Sequence, residues 1–167
     1  SVPAGYYTQA NSLRQIPINS LSLVIGQVMF PFFSKFQDDH QRAKDSMSET
    51  VSLISFFIFP ILLFLILFAK PIIVFLFSER WLPSVTIFQI LCFSGFVNGL
   101  IHANRNLLKS LGFIKVLFLA QVISITIGFT LLIIGLNYSL TTLLILIVLS
   151  SYFNFFIIAI AVHLKIG

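Results

Sequence analysis

Charge is what this sequence has least of. Of 167 residues, 9% are charged, ten Lys and Arg against five Asp and Glu. A water-soluble domain carries about 25% charge, and a globule of this length has too much surface to be covered by so little of it. The same shortage excludes a disordered chain, which needs high charge and low hydrophobicity. There is one cysteine, Cys92, so an internal disulfide framework and an all-cysteine zinc site are both excluded. All five acids lie near the ends of apolar runs or between them, leaving no pair of buried carboxylates for general acid–base work. His40, His102 and His163 are too far apart to share a metal with Cys92, and neither a glycine-rich phosphate loop nor a P-loop lysine occurs. The residues therefore point to no catalytic site, no metal and no cofactor. The net charge of +5 would suggest nucleic acid in a soluble protein. Here the cations are sparse and sit between apolar blocks, which is a matter of membrane topology and not of nucleic-acid binding.

What is abundant is apolar. Hydrophobic residues make up 58%, aromatics 15%, and the mean hydropathy is +1.05. Five uncharged stretches, 15–34, 50–69, 81–104, 116–136 and 140–162, are each long enough to cross a bilayer, which takes about 20 residues. None alternates as a barrel strand would, so a backbone satisfied within each segment means helix. The expected architecture is an all-α, multi-pass transmembrane bundle of five helices at about 6–34, 48–77, 82–109, 114–136 and 140–163. Pro17 and Pro31 should bend the first helix or mark its ends. The second is too long for a straight span: 50–77 is about 42 Å at 1.5 Å per residue, against a core of roughly 30 Å. With Pro60 in its middle and Lys70–Pro71 near its end, it must tilt, kink or project. The charged tract 35–49 reads as the longest aqueous excursion, with a helical turn leading into the next span. Asn137–Tyr138–Ser139 joins the last two helices so tightly that they must be antiparallel neighbours.

Alternating sides then divide the basic residues. Lys35, Arg42, Lys44, Lys109, Lys115 and Lys165 fall on one side, Arg80 and Lys70 on the other. Positive charge favours the cytoplasmic face, which puts 35–49, the Gly112 turn and the C-terminus inside. Trp81 and Tyr138 fall at the outer interface, where amphipathic rings belong.

Two polar groups stand out against the apolar background. Arg14 lies within or at the edge of the first span, where a charge must snorkel, pair or face a wet cavity. Asn11, Gln15 and Asn19 recur beside it at helical spacing, making a polar stripe suited to an anion; arginine in particular matches phosphate bidentately. The second group, Asn98, His102, Asn104, Arg105, Asn106 and Lys109, occupies one end of the third helix. It suits an anionic lipid head group or a pyrophosphate, or serves as interfacial anchoring and helix–helix hydrogen bonding. Gly95 and Gly99 form a small-xxx-small pair for close helix contact. Cys92 reads as a small core residue.

These residues also resemble a known family. Gly5–Tyr6–Tyr7 with Ala10, Leu13, Arg14 and Pro17 comes first, followed by the continuous run from Val28 to Asp39. Next come Phe59–Pro60, Ala69–Lys70–Pro71–Ile72–Ile73 and Leu76–Phe77–Ser78–Glu79–Arg80–Trp81. Last is Leu107–Leu108–Lys109–Ser110–Leu111–Gly112. In this order and spacing they resemble the lipopolysaccharide, O-antigen and teichuronic acid exporters, a branch of the multidrug/oligosaccharidyl-lipid/polysaccharide exporter superfamily. The resemblance covers about residues 5–115. It implies two six-helix lobes around a central cavity, with residues 1–167 as part of the C-terminal lobe in a twelve-helix bacterial inner-membrane protein. The opening Ser1–Val2–Pro3 is in keeping with the interior of a longer chain. The implied activity is flipping of an undecaprenyl-pyrophosphate-linked oligosaccharide for surface polysaccharide synthesis. Membrane lipids, and glycosyltransferases or a polymerase of the same pathway, are the implied partners. Arg14 matches a common basic position of the family, so the expected cavity residues are Arg14, Asn11, Gln15, Asn19, Arg105 and His102. Two positions depart from the pattern: Ser78 stands where glycine is common, and Phe113 where a basic residue often follows the loop glycine. The alternatives are a non-transporting membrane scaffold of a polysaccharide assembly complex and, with only His102 suitably placed, a membrane enzyme acting on lipid-linked sugars.

Overall fold

The computed structural model describes residues 5–16, 18–19 and 40–166. Residues 5–16 form α1, with 18–19 helical as well. The helices that follow are α2 (His40–Leu67), α3 (Ala69–Phe77), α4 (Ser84–Ser110), α5 (Ile114–Gly135) and α6 (Leu140–Ile166). A single 3-10 turn, Glu79–Trp81, links α3 to α4. Among the described residues there is no strand, and four segments are long and apolar enough to cross a membrane: Ser48–Leu67, Ser84–Ser110, Ile114–Gly135 and Leu140–Lys165. The protein is an all-α, multi-pass membrane protein. Most of the expected first span, with Pro17 and Pro31, lies outside the described residues.

The second helix differs from the expected 48–77 in where it starts and in being broken inside, while its far end at Phe77 is as expected. It starts at His40, so much of the tract expected to be an aqueous loop is helical. The segment from His40 to Thr50 holds Gln, Arg, Ala, Lys, Met and Glu and neither glycine nor proline, a composition that favours helix once an apolar span anchors it. The helix then breaks at Phe68, which adopts φ −99°, ψ 18°, and resumes as α3. Pro71 is the cause. It has no N–H for the carbonyl of Leu67, and its ring crowds that carbonyl. The flanking bonds, Phe68 N–H to Phe64 O (2.9 Å) and Ile72 N–H to Phe68 O (3.0 Å), survive, so the break is a kink. Pro60 is carried inside α2 without a break. α6 also runs on to Ile166, past the expected 163.

α4 is the hub. One face joins a cluster with Ala10 and Ile18 of the first helical segment, Ile54, Ile58 and Leu62 of α2, and Ile73 of α3; Phe88, Leu91 and Cys92 are its own contribution. Its other face, Val97, Ile101 and Leu108, packs on Leu117 and Ala120 of α5 and Ile158 and Ala161 of α6. Cys92 is fully buried, as a small core residue should be. Gly95 and Gly99 explain how α2 comes so close. A Cβ on Gly99 would sit 2.6 Å from Ile58 Cδ1, and one on Gly95 would sit 2.9 Å from Leu62 Cδ1. As α2 runs from residue 54 to 62, its partners on α4 run from 99 to 95, so the two helices are antiparallel. Between spans there is no hydrophobic drive, because lipid is as apolar as leucine; small residues that let backbones approach supply dispersion contacts instead. The same logic explains the large apolar side chains on the surface, such as Phe118 (66% exposed), Phe129 (63%) and Leu164 (75%), which suit lipid.

The turns are built from specific backbone chemistry. At the end of α4, Phe113 N–H bonds Leu108 O (2.8 Å) and Gly112 N–H bonds Lys109 O (3.1 Å), with Gly112 at φ +78°. This is a Schellman motif, and the left-handed position is where glycine is free to go. Ser78, closing α3, holds φ +77° and ψ 169° without being glycine.

Candidate functional site

Arg14 is the most buried charge described, only 6% exposed. Tyr6, two turns earlier on α1, makes an edge-on ring contact with Trp81 at 5.5 Å. α1 and α4 therefore run in the same direction, and Arg14 is carried inward alongside α4. Its guanidinium meets α4 ten residues beyond Ser84, about 15 Å along a helix of roughly 40 Å. It does not snorkel out. Nη1 donates to the Leu91 carbonyl at 3.2 Å and to Ser94 Oγ, and Nη2 donates to Asn11 Oδ1 at 2.7 Å. Ser94 Oγ in turn donates to the Leu91 carbonyl at 2.8 Å. Nε is buried without a partner. Every acceptor is neutral, and among the described residues no carboxylate bonds to Arg14. Among the described residues, a buried positive charge therefore sits more than a third of the way along α4, held only by the dipoles of neutral groups. That arrangement is costly in a low-dielectric medium, and buried intramembrane ions of this kind mark functional sites.

The other expected residues are distributed unevenly. Asn11 is half-buried and bonded to Arg14, Gln15 is half-buried one residue further on, and Asn19 is exposed. Arg105 lies eleven residues past Ser94. That is about 16 Å and close to three whole turns along α4, so the two positions share one side of the helix. It is half-buried, donating from Nη2 to Asn154 Oδ1 of α6 at 3.5 Å, with a buried Nε that has no partner. His102, one turn before Arg105, is exposed. The structure thus joins Arg14 to Asn11 at one level and leaves Arg105 and His102 at a second. Among the described residues, no three His, Cys, Asp or Glu side chains come together as a metal site.

Ser94, the Leu91 carbonyl and Asn154 were not among the expected site residues. Ser94 is one serine among many, and its role follows from lying beside the Gly95 face where α4 is approached most closely. A backbone carbonyl leaves no trace in a sequence. Asn154 did leave one: it is the one carboxamide side chain of α6, in a span where a polar side chain needs a partner.

Comparison with known proteins places this arrangement. A family model described as polysaccharide biosynthesis protein matches residues 2–86, half of the chain, including Arg14, the kink and the Glu79–Trp81 turn. The chain belongs to this family. Among curated relatives, it is 34% identical over 95 residues to an uncharacterized membrane protein in the cps region of Klebsiella pneumoniae, which is 57% of this chain and 20% of that protein. It is 31% identical over 108 residues to the lipopolysaccharide biosynthesis protein WzxC of Escherichia coli, covering 65% of this chain and 21% of the relative. Over 108 residues it is 25% identical to the teichuronic acid biosynthesis protein TuaB of Bacillus subtilis, covering 65% and 22%. The matched stretch thus spans about a fifth of each relative's length. No solved structure matches the chain. With its apolar helices and these relatives, this member of the polysaccharide biosynthesis family is a multi-pass bacterial membrane protein.

Proposed function

We propose that the protein containing this chain exports a lipid-linked oligosaccharide, carried on undecaprenyl pyrophosphate, across the bacterial inner membrane for surface polysaccharide synthesis. On this reading it is a transporter and not an enzyme, and the chain belongs to the C-terminal lobe of a two-lobed, twelve-helix bundle. The observation that carries the reading is Arg14: a buried guanidinium inside the bundle, pre-oriented by three neutral acceptors among the described residues. The oxygens of a pyrophosphate are stronger, charge-assisted acceptors than the carbonyl, hydroxyl and amide now in place. Asn11 aims the guanidinium, and Gln15 and Asn19 extend the polar stripe. Arg105 and His102, three turns along α4, offer a second level of positive or polar contact. Rocking of the lobes about this cavity gives alternating access.

The test is export of surface polysaccharide by the full-length protein at matched membrane abundance. Arg14→Lys keeps the charge but not the planar fork, and should impair export in part. Arg14→Ala should impair it more, and Arg14→Glu should abolish it. Near-normal export by Arg14→Ala would remove Arg14 from the site and leave the mechanism without its main residue.

A further inference from the structure

The end of the bundle away from Glu79 holds a second concentration of charge with a different setting. From Arg80 to Gly167 the sequence contains no Asp or Glu. The three lysines in that stretch all lie at or beside the turn between α4 and α5. Lys109 lies in the last turn of α4, and its carbonyl accepts the Gly112 N–H at 3.1 Å. Lys115 is the second residue of α5. Lys165, near the end of α6, places Nζ 5.9 Å from the centre of the Phe113 ring, a cation–π distance that tethers the third ammonium to the same turn. Along the chain, Lys109 comes four residues before Phe113 and Lys115 two residues after it, with the Schellman turn between the two helices. All three lysines are exposed. The acids described at this end, Asp45 and Glu49, stand on α2. That helix packs on the glycine face of α4, so these acids are nearer to Lys109 than to Lys115 on α5.

Immediately below these cations α5 is apolar and exposed over most of its circumference, with only Leu117, Ala120, Ser124 and Gly135 buried, and one stripe of that surface begins beside Lys115. Ile114 (64% exposed), Phe118 (66%), Val122 (45%), Ile125 (60%) and Phe129 (63%) follow one another at helical spacing. The stripe runs into the depth of the membrane. Three positive charges at the mouth of a long apolar track match an anion that carries a hydrocarbon tail. A free anion has no use for the track, and an apolar partner has no use for the charges.

We propose that Lys109, Lys115 and Lys165, gathered around Phe113, form a head-group site for an anionic membrane phospholipid whose acyl chains lie along the exposed stripe of α5. The site does not rest on the transport reading; it requires that the helices span a membrane and that the exposed stripe of α5 faces lipid.

The test uses the full-length protein in a neutral detergent, with lipid retention read by native mass spectrometry. Phosphatidylglycerol and phosphatidylcholine of identical acyl chains are compared, with inorganic phosphate in a parallel arm. The wild type should retain phosphatidylglycerol over phosphatidylcholine by about tenfold, the scale expected when several basic residues face an anionic head group. K109Q/K115Q/K165Q should bring the two lipids to within about twofold, while R80Q at the other end leaves the preference unchanged. If the triple variant does not remain monodisperse, K115Q/K165Q serves in its place and should lose most of the preference. Equal retention of the two lipids by the wild type overturns the proposal. So does an undiminished preference in the lysine variants, which would leave the lysines and the stripe to a protein partner. Inorganic phosphate retained through these lysines without a phosphatidylglycerol preference would replace the lipid with a soluble anion. Export is scored separately: loss of export in Arg14→Ala with an intact lipid preference bears only on the transport reading, and the reverse pattern only on this site.

Discussion

Replacing Gly99 by alanine puts one carbon into the tightest surroundings of any described glycine. The added Cβ would lie 2.6 Å from Ile58 Cδ1 and 3.1 Å from Ile54 Cγ2, where carbon atoms at rest stand about 3.5–4.0 Å apart. The two neighbours can yield to different degrees. Ile58 Cδ1 is the free end of its side chain and can swing away; Ile54 Cγ2 is attached to Cβ and is held by the one favoured rotamer of a β-branched residue in a helix. Both side chains are buried, with 2% and 3% exposure, so little space exists for them to move into. Overpacking of this kind costs about 1–3 kcal/mol, partly offset by up to about 1 kcal/mol from better helix propensity. The expected net effect is a destabilisation of about 1 kcal/mol. Ile58→Val deletes the clashing Cδ1 and on its own should cost about 0.5–1.5 kcal/mol. Together the two substitutions should cost less than their sum by at least about 0.5 kcal/mol, because each relieves the other. Thermal unfolding of the full-length protein in detergent, followed by loss of the monodisperse peak, measures all three. Gly128→Ala is the control: its new Cβ would meet Ser150 Cβ at an ordinary 3.9 Å, and it should be neutral or slightly stabilising. If Gly99→Ala is as stable as wild type, or the cycle with Ile58→Val is additive, the close approach of α2 to α4 through the glycine face is wrong.

Other outcomes follow from single features. Ser78 sits at φ +77°, ψ 169°, a region that costs a non-glycine residue about 1–3 kcal/mol. Ser78→Gly should therefore raise thermal stability despite glycine's extra unfolded-state entropy of about 0.5–1 kcal/mol, and an unchanged or lower midpoint would refute the strained turn. Pro71→Ala restores an N–H for the Leu67 carbonyl and should straighten α2 into α3; distances between spin labels at residues 57 and 76 should lengthen, and an unaltered distance would move the cause of the kink elsewhere. In a background where the buried Cys92 is replaced by alanine, Arg80→Cys in the full-length protein should react with an impermeant thiol reagent in intact cells, and Lys115→Cys only after permeabilisation. The reverse pattern would invert the orientation taken from the distribution of basic residues.

Much of this molecule was legible from composition, because a membrane imposes its demands locally. A span must be apolar for about 20 residues and must satisfy its own backbone, so α4, α5 and α6 could be located to within a few residues. Gly95 and Gly99 announced a close helix contact by their spacing alone, and Arg14 stood out because a charge in such a run needs a reason. The resemblance extended this to a polysaccharide exporter, and the match over residues 2–86 established the family.

Contacts across the chain were not legible, because a sequence pattern does not say which faces meet. That Ile54, Ile58 and Leu62 fill the glycine face, and that Arg14 is held by Leu91 and Ser94, depend on α1, α2 and α4 being packed together; the partners lie 77 and 80 positions from Arg14. Asn154 opposite Arg105 and Lys165 over Phe113 are likewise brought together only by the packing of α6. The kink at Phe68 is intermediate. Pro71 foretold a disturbance, but whether a helix so long would tilt, project or break depended on the packing on both sides of the missing hydrogen bond. The sequence by itself determined which described segments are long and apolar enough to cross a membrane and which charges are exceptional. Tertiary structure decided what each exceptional charge touches, since burial in lipid is a property of one segment whereas a hydrogen bond between helices is a property of two.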